Sequence, residues 1–470
     1  MLYIDGRWLA GEAGTSDVLD KYRGGVIAQL HLASRAQVGQ ATRAVAAAQA
    51  AEQLPAAQRS VVLERAADLL DERAKLFTDT IVAEGGFAVS DSAREVGRAA
   101  QTLRWCAEEA NRTHGDMVPL QSSPQAAQRL AFTVRYPIGV VAAITPFNSP
   151  LNTVLHKVGP AIAAGNGVVL KPSTYTPMTA ELIVGLLLDA GLPPGYISLI
   201  HGPGDGAAQW LLEDPVPGFY AFTGSTAVGE HIHRTVGLRK SQLEMGSLSS
   251  VIICADADID DCFNRCLDAA FRKAGQICTS IQRLYVHSSI AGEFAERLET
   301  ALASRVAGDP TDPNTFVGPL ISRDNAERVE SWINRAADQG AKVVTGGHRA
   351  GNVVEPTVLT NVDASMEVMC REVFGPVVSI RPFDSLDAAI DEANDTQFGL
   401  AAGIFTADLN NAFSAAQRLR MGSVHINETS NGRLDNMPYT GVKASGMGKE
   451  GPRYAIDEMT EERLITVRWQ

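Results

Sequence analysis

Between residues 55 and 86 the apolar positions recur at helical spacing: Val62, Ala66, Leu69, Leu70, Phe77 and Ile81 share one face, and Gly85-Gly86 supplies a stop. This predicts an amphipathic helical region with one buried face. Ahead of it, Asp5-Gly6 between Leu2-Tyr3-Ile4 and Trp8-Leu9 is the sequence of a tight hairpin, so the chain opens with a small β-ribbon. From Gly139 the period changes repeatedly. The apolar run 140–144 predicts a buried strand, 150–164 a helix closed by Gly165-Asn166-Gly167, and 168–170 another strand. Helix 178–190 and strand 196–200 follow, then Gly202-Pro203-Gly204-Asp205-Gly206, then strand 219–222 ending at Gly224. Strands and helices alternating at this length imply a doubly wound parallel sheet covered on both faces.

After strand 241–245 and Gly246 the alternation restarts. Strand 251–254, helix 259–274, strand 283–287, helices near 293–307 and 324–339, and strands 354–359, 377–382 and 400–405 predict a second α/β unit. The fold class is α/β, with two doubly wound units. Two alternating segments, 130–136 and 464–469, have no partner nearby in sequence, so they pair with each other or extend a sheet in another subunit.

The chain has 470 residues, 45% hydrophobic and 20% charged, enough for two large domains with a sizeable core. Lys plus Arg number 41 against 54 Asp plus Glu, for a net charge of −13, and no basic block stands out. Nucleic acid and anionic membrane are therefore not expected as partners. The longest uncharged stretch, 136–156, is broken by Pro137, Pro146, Asn148, Pro150 and Asn152, so no membrane span is expected. The first residues carry no basic segment leading into an apolar one, and a cytoplasmic location is expected. Six cysteines, at 106, 254, 262, 266, 278 and 370, are too sparse for a disulfide framework or a zinc ribbon and read as reduced, mostly buried thiols. No metal site is expected: His231/His233 and Cys262/Cys266 have no further ligands clustered with them.

Gly275-Gln276-Ile277-Cys278-Thr279 joins a predicted helix to a predicted strand, putting one thiol on a loop where α/β proteins bind ligands. A lone cysteine is most often a small buried hydrophobe, so the thiol gains weight only beside a base and an oxyanion donor. Glu244 ends an apolar strand, where poor solvation raises a carboxyl toward the range of a general base. Asn148, on the strand-to-helix turn Thr145-Pro146-Phe147-Asn148-Ser149-Pro150, has an amide suited to a developing oxyanion. Thr223-Gly224-Ser225-Thr226-Ala227-Val228-Gly229 joins a strand to a helix, and its backbone N–H groups suit a phosphate. Lys171-Pro172-Ser173 ends the preceding strand, where an ammonium reaches a ribose hydroxyl. Neither a Walker A sequence nor a Gly-x-Ser-x-Gly elbow occurs, which weakens phosphoryl-transfer and serine-hydrolase readings.

Seven segments in order complete the pattern: Pro146-Phe147-Asn148, Lys171-Pro172-Ser173, Phe222-Thr223-Gly224-Ser225 with Gly229, Leu243-Glu244-Met245-Gly246, Gly275-Gln276-Ile277-Cys278, Glu372-Val373-Phe374-Gly375-Pro376, and Pro438-Tyr439 through Gly448-Lys449-Glu450. Together they resemble the aldehyde dehydrogenase superfamily nearly end to end. The resemblance implies a nucleotide-binding domain (1–115 and 137–245), a catalytic domain (246–438), and an oligomerisation ribbon (116–136) with a C-terminal segment (439–470), in a homodimer or homotetramer. It implies oxidation of an aldehyde to a carboxylate with NAD or NADP, with Cys278 as nucleophile, Glu244 as base and Asn148 as oxyanion donor. The cofactor would run along Thr145, Pro146, Phe147, Ser173, Thr174, Gly204, Gly224 and Gly229. Lys171 would meet the adenosine ribose, Ser225 the pyrophosphate, Glu372 the nicotinamide ribose and Phe374 the nicotinamide.

There are departures. Glu244 is followed by Met245-Gly246-Ser247-Leu248, where the family usually reads Leu-Gly-Gly-Lys or Leu-Gly-Ser-Asn. The residue three after Lys171, often acidic in NAD-selective members, is Thr174, so NADP⁺ is expected to be tolerated. CoA-acylating relatives commonly lack the carboxylate found here at Glu244, which favours hydrolysis over transfer to CoA. A catalytically silent relative that keeps the fold as a binding module is the third alternative, and the intact Cys278, Glu244 and Asn148 argue against it. The Pro438-Tyr439 segment and the helix bearing His156 are most similar to the branch handling lactaldehyde, glyceraldehyde-type and phosphono- or sulfo-aldehydes, which implies His156 and Ile277 beside the substrate. Some members for anionic aldehydes carry Arg just before the nucleophile; with Ile277 there, a small neutral or hydroxylated aldehyde is expected.

Overall fold

The computed structural model describes residues 1–126 and 128–469; Ala127 and Gln470, both within the segments assigned above to the ribbon and C-terminus, lie outside the described residues. Two sheets organise the chain. In the first, five parallel strands lie side by side in the order Ile197–Leu199, Gly167–Lys171, Val140–Ile144, Phe219–Thr223, Lys240–Glu244. The chain starts in the middle, builds to one side and then returns to build the other. Strand order therefore reverses between Val140–Ile144 and Phe219–Thr223, where the loops leaving the carboxyl ends diverge and open a crevice. The Asp5-Gly6 hairpin forms as expected, and Leu2–Ile4 caps one edge. Gly446–Met447, from the C-terminal segment, caps the other.

Both faces of this sheet are covered. Leu63, Leu70, Phe77 and Ile81 pack with Leu155, Ile162 and Leu187 on one side, while Val38, Val45, Leu211 and Ile232 fill the other. The 62–81 pattern is two helices, Ala56–Glu72 and Ala74–Gly85, because the backbone leaves helical angles at Arg73. Both keep the expected apolar face inward.

The second sheet runs Lys342–Thr345, Thr357–Thr360, Val377–Phe383, Arg283–His287, Ser250–Ile253, Ala401–Phe405, Ser423–Ile426. The single strand expected at 354–359 is two pieces. Val353–Val354 pairs with Arg349–Ala350, and only after Pro356 does Thr357–Thr360 join the large sheet, since proline donates no ladder hydrogen bond. The helix expected over 259–274 stops at Phe271, because Lys273 and Ala274 take left-handed φ angles of 49° and 56°. A connection from a helix into a parallel strand arrives at that strand's amino edge. The Cys278 loop accordingly enters the amino end of Arg283–His287, not the carboxyl end where α/β ligand loops were expected.

The two unpartnered segments pair with each other: Arg129–Pro137 lies antiparallel to Thr460–Arg468, with Thr460 opposite Pro137 and Arg468 opposite Arg129. Among the described residues, no helix is long and apolar enough to cross a membrane.

Candidate active site

A cavity of about 490 Å³ runs from the crevice of the first sheet to the amino edge of the second. The turn after Val140–Ile144 contributes Thr145, Pro146, Phe147 and Asn148, and the end of Gly167–Lys171 contributes Lys171, Ser173 and Thr174. Gly204, Gly224, Ser225 and Glu244 follow from the first sheet, while Cys278, Glu372 and Phe374 come from the second. Residues separated by more than two hundred positions thus share one wall.

At the deep end the half-buried Cys278 stands beside Glu244. Burial, and then the neighbouring Glu450, push the Glu244 carboxyl up to about 7, with Lys157 opposing. Its Oε1 has no hydrogen-bond partner among the described residues, so one oxygen is left to a water or a proton. Burial and then Glu244 push the Cys278 thiol well above its ordinary value, against the Tyr439 hydroxyl. Asn148 Nδ2 donates to the Gln276 carbonyl at 2.8 Å, which ties the amide to the nucleophile loop; its second N–H is unassigned.

The loop holding Cys278 is built under constraint. Gly275 has φ 68°, and a Cβ there would lie 2.1 Å from the Gly375 carbonyl oxygen. Glu95, on the helix Val89–Ala110, accepts from Ser149 Oγ and from the backbone N–H groups of Leu151 and Asn152 at 2.9 to 3.0 Å. Its other oxygen binds Lys273 Nζ, which also donates to the Asn148 carbonyl at 2.7 Å. One buried carboxylate therefore fixes the Asn148 turn and the strained approach to Cys278 together. Glu95 was not singled out from the sequence, where it reads as an ordinary helix carboxylate.

Tyr439, Arg433 and Glu450 line the same end. Glu450 accepts from Lys157 Nζ at 2.7 Å and from Arg433 Nη1 at 3.1 Å. Burial works against ionisation there, but the two cations outweigh it and hold Glu450 well below the usual carboxylate range. Tyr439 and Glu450 stood within a quoted motif without assigned roles, and Arg433 stood in none.

At the opposite end, burial lowers Lys171 to about 8, with no opposing charge or hydrogen bond among the described residues. Ser225 precedes the helix Thr226–Val236 and makes no side-chain cap, so first-turn N–H groups remain for an anion. Phe374 (φ 48°) lies edge-on to Phe147 at 5.9 Å. Burial raises Glu372 to about 7 although Ser247 N–H donates to it at 2.9 Å.

Two residues implied at the site lie outside the cavity lining. His156 is 2% exposed, its Nε2 is 3.0 Å from Asp435, and it does not line the cavity. Its helix is buried almost all round, which turns this face toward the Arg98–Asp435 ion pair. Gly229 is likewise outside the cavity lining; a Cβ there would lie 2.1 Å from Met245 Sδ, so glycine serves helix-to-strand packing. Ile277 lines a narrow crevice that adjoins the main cavity and shares Cys278, Glu372 and Phe374 with it.

Comparison with known proteins bears on the family and the fold. The model of the aldehyde dehydrogenase family matches residues 8–465. The 3-sulfolactaldehyde dehydrogenase of Priestia aryabhattai is 45% identical over 468 residues, 99% of this chain and 97% of the relative. The crystal structure of aldehyde dehydrogenase 21 from Physcomitrella patens, in complex with the reaction product succinate, superposes with a TM-score of 0.96 at 34% identity, over 99% of this chain and 98% of that one. The NADP-dependent glyceraldehyde-3-phosphate dehydrogenase from Bacillus halodurans C-125, complexed with NADP, gives 0.96 at 31% identity, over 99% and 98%. Matched along nearly its whole length in sequence and in fold, this chain belongs to the aldehyde dehydrogenase family.

Proposed function

We propose that the protein oxidises a short aldehyde bearing an anionic group to the carboxylate, with NAD⁺ or NADP⁺, through a covalent intermediate on Cys278. The observation that carries this reading is the convergence of Cys278, Glu244 and Asn148 at one end of a cavity whose other end presents Lys171, Gly224 and Ser225. The residues present fit the cofactor: Lys171 Nζ suits ribose hydroxyls, the Ser225 turn a pyrophosphate, and Glu372 and Phe374 the nicotinamide riboside. Bound there, the oxidised nicotinamide supplies the hydride acceptor.

The chain's own groups do the rest. The Cys278 thiolate attacks the carbonyl carbon, and the oxyanion is held by the Asn148 amide and the Cys278 backbone N–H. Collapse of the thiohemiacetal expels hydride and leaves a thioester. Glu244, ionised above about pH 7, takes a proton from water, and hydroxide displaces the thiolate to release the acid.

Arg433 supports an anionic substrate. One edge of its guanidinium binds Glu450, while Nε and Nη2 have no partner among the described residues. With Lys157 beside it, two cations share the single carboxylate of Glu450. The names 3-sulfolactaldehyde, succinate and glyceraldehyde-3-phosphate, each belonging to a relative, all describe anions. The neutral aldehyde expected from Ile277 rested on one loop, whereas the cation comes from another. At the adenosine end no carboxylate lines the cavity beside Thr174 among the described residues, which favours acceptance of a 2′-phosphate. Initial rates for sulfonate-, phosphate- and carboxylate-bearing short aldehydes against their neutral counterparts, with both cofactors, test the reading. Uniform preference for neutral aldehydes would remove Arg433 from it, and absence of NAD(P)H formation across the panel would overturn the whole. We further infer a homodimer or homotetramer joined through the ribbon, supported by the exposed Leu464 and Val467 on the strand Thr460–Arg468 and Trp469 just beyond it.

A further inference from the structure

Cys278 Sγ lies 3.2 Å from Tyr439 Oη. Tyr439 is 2% exposed, and its backbone is locked to Glu450: Tyr439 N–H donates to the Glu450 carbonyl at 3.1 Å and Glu450 N–H to the Tyr439 carbonyl at 2.7 Å. Over the ring sits Arg433, its guanidinium carbon 3.9 Å from the centroid. A cation on an aromatic face favours electron density moving into the ring, which makes the phenolic O–H a stronger donor.

The surroundings of Cys278 otherwise oppose a thiolate. Glu244 faces it from the end of Lys240–Glu244, Glu372 from the turn before Val377–Phe383, and both carboxylates, with burial, disfavour a second negative charge. Lys157 and one edge of Arg433 are engaged with Glu450, and no imidazole, ammonium or guanidinium donates to Sγ among the described residues. The Tyr439 hydroxyl is what remains.

We propose that Tyr439 is a further catalytic residue, whose hydroxyl donates to the Cys278 thiolate and stabilises and orients it as it forms, with Arg433 strengthening the donor through the ring. The S–H bond breaks and its proton passes by way of the Glu244 carboxylate to solvent, which leaves Glu244 ionised for the later hydrolysis; Tyr439 keeps its own proton throughout. The proposal rests on Cys278 being the nucleophile. A hydrogen bond to a charged group shifts ionisation by about one to two pH units. Nucleophilicity falls less steeply than thiolate population rises, by roughly half the change on a logarithmic scale. The gain at neutral pH is therefore about threefold to tenfold.

The test is the pH dependence of iodoacetamide alkylation of the full-length protein, in a Cys370→Ser background because Cys370 is exposed. Tyr439→Phe keeps the ring beneath Arg433 and removes only the hydroxyl. Its midpoint should rise by about one to two pH units, its rate at pH 7 should fall about threefold to tenfold, and its plateau at high pH should exceed that of wild type. That opposite movement of the two limbs is not produced by general loosening. An unchanged or lowered midpoint would overturn the proposal. Should Tyr439→Phe fail to fold, difluorotyrosine at position 439, a stronger donor, should lower the midpoint, and no shift would refute the hydrogen bond. Turnover surviving Cys278→Ser would instead defeat the nucleophile assignment, whatever the alkylation profile shows.

Discussion

Glu244→Gln separates acylation from deacylation. The carboxyl is pushed up to about 7 from an ordinary value near about 4.3, so its basic form exists above about pH 7 and is lost as pH falls through it. The ionised fraction is about one tenth at pH 6 and about nine tenths at pH 8. If deacylation limits turnover, kcat rises about tenfold across that interval in the wild type. In Glu244→Gln the step loses general-base assistance of about 10²- to 10⁴-fold, or roughly 3 to 5 kcal/mol of barrier, and its dependence on pH in this range. Acylation survives with the thiol proton passing directly to solvent, because removing this carboxylate also removes one cause that holds the Cys278 thiol up. Stopped-flow absorbance at pH 6, 7 and 8 reads both phases. The variant should give a burst of about one NAD(P)H per site followed by slow turnover. Equal steady-state rates in variant and wild type would remove Glu244 from the mechanism, and restoration of turnover by CoA would make the thioester an acyl donor to CoA.

Three further outcomes follow from the same structure. Thr174→Glu places a carboxylate where a 2′-phosphate would lie and should shift kcat/KM toward NAD⁺ by about tenfold to a hundredfold; unchanged selectivity would contradict the placement. Deleting residues 464–470 removes most of the strand paired with Arg129–Pro137 and should dissociate the oligomer without unfolding the chain, as sedimentation would show; an unchanged assembly refutes the ribbon's role. Glu84 is fully buried and raised to about 7 by that burial, outweighing hydrogen bonds from Thr179 and Met178. The folded state therefore binds the proton more tightly than the unfolded, and stability contributed by this group declines as pH rises from about 4.5 to 7. In Glu84→Gln the loss of unfolding free energy between pH 4.5 and pH 8 should be smaller by up to about 3 kcal/mol, and denaturant curves with identical pH slopes would refute the assignment.

Much of this was legible in the sequence because it is local. The apolar runs at 140–144 and 219–222 and the glycines that follow them fix strands and turns within a few residues. Cys278, Glu244 and Asn148, named from such motifs, share one cavity wall. What escaped depends on tertiary placement. Glu95 looks like any helix carboxylate until Lys273 and the Asn148 turn close around it. Arg433 carries no local signal, since its importance lies in stacking on Tyr439 and pairing with Glu450. Lys273 and Ala274 continue a helical pattern, yet their left-handed backbone ends the helix and aims the nucleophile loop. His156 failed in the opposite direction: its motif matched, but burial against Asp435 takes it off the cavity wall.

The most direct test of the covalent mechanism is the mass of the Cys278 peptide. Glu244→Gln is mixed with aldehyde and NAD(P)⁺, quenched in acid after the burst and digested. The peptide should carry the mass of the acyl group, and Cys278→Ser should give neither adduct nor burst. Hydride transfer with an unmodified Cys278, or turnover by Cys278→Ser at a comparable rate, would contradict it.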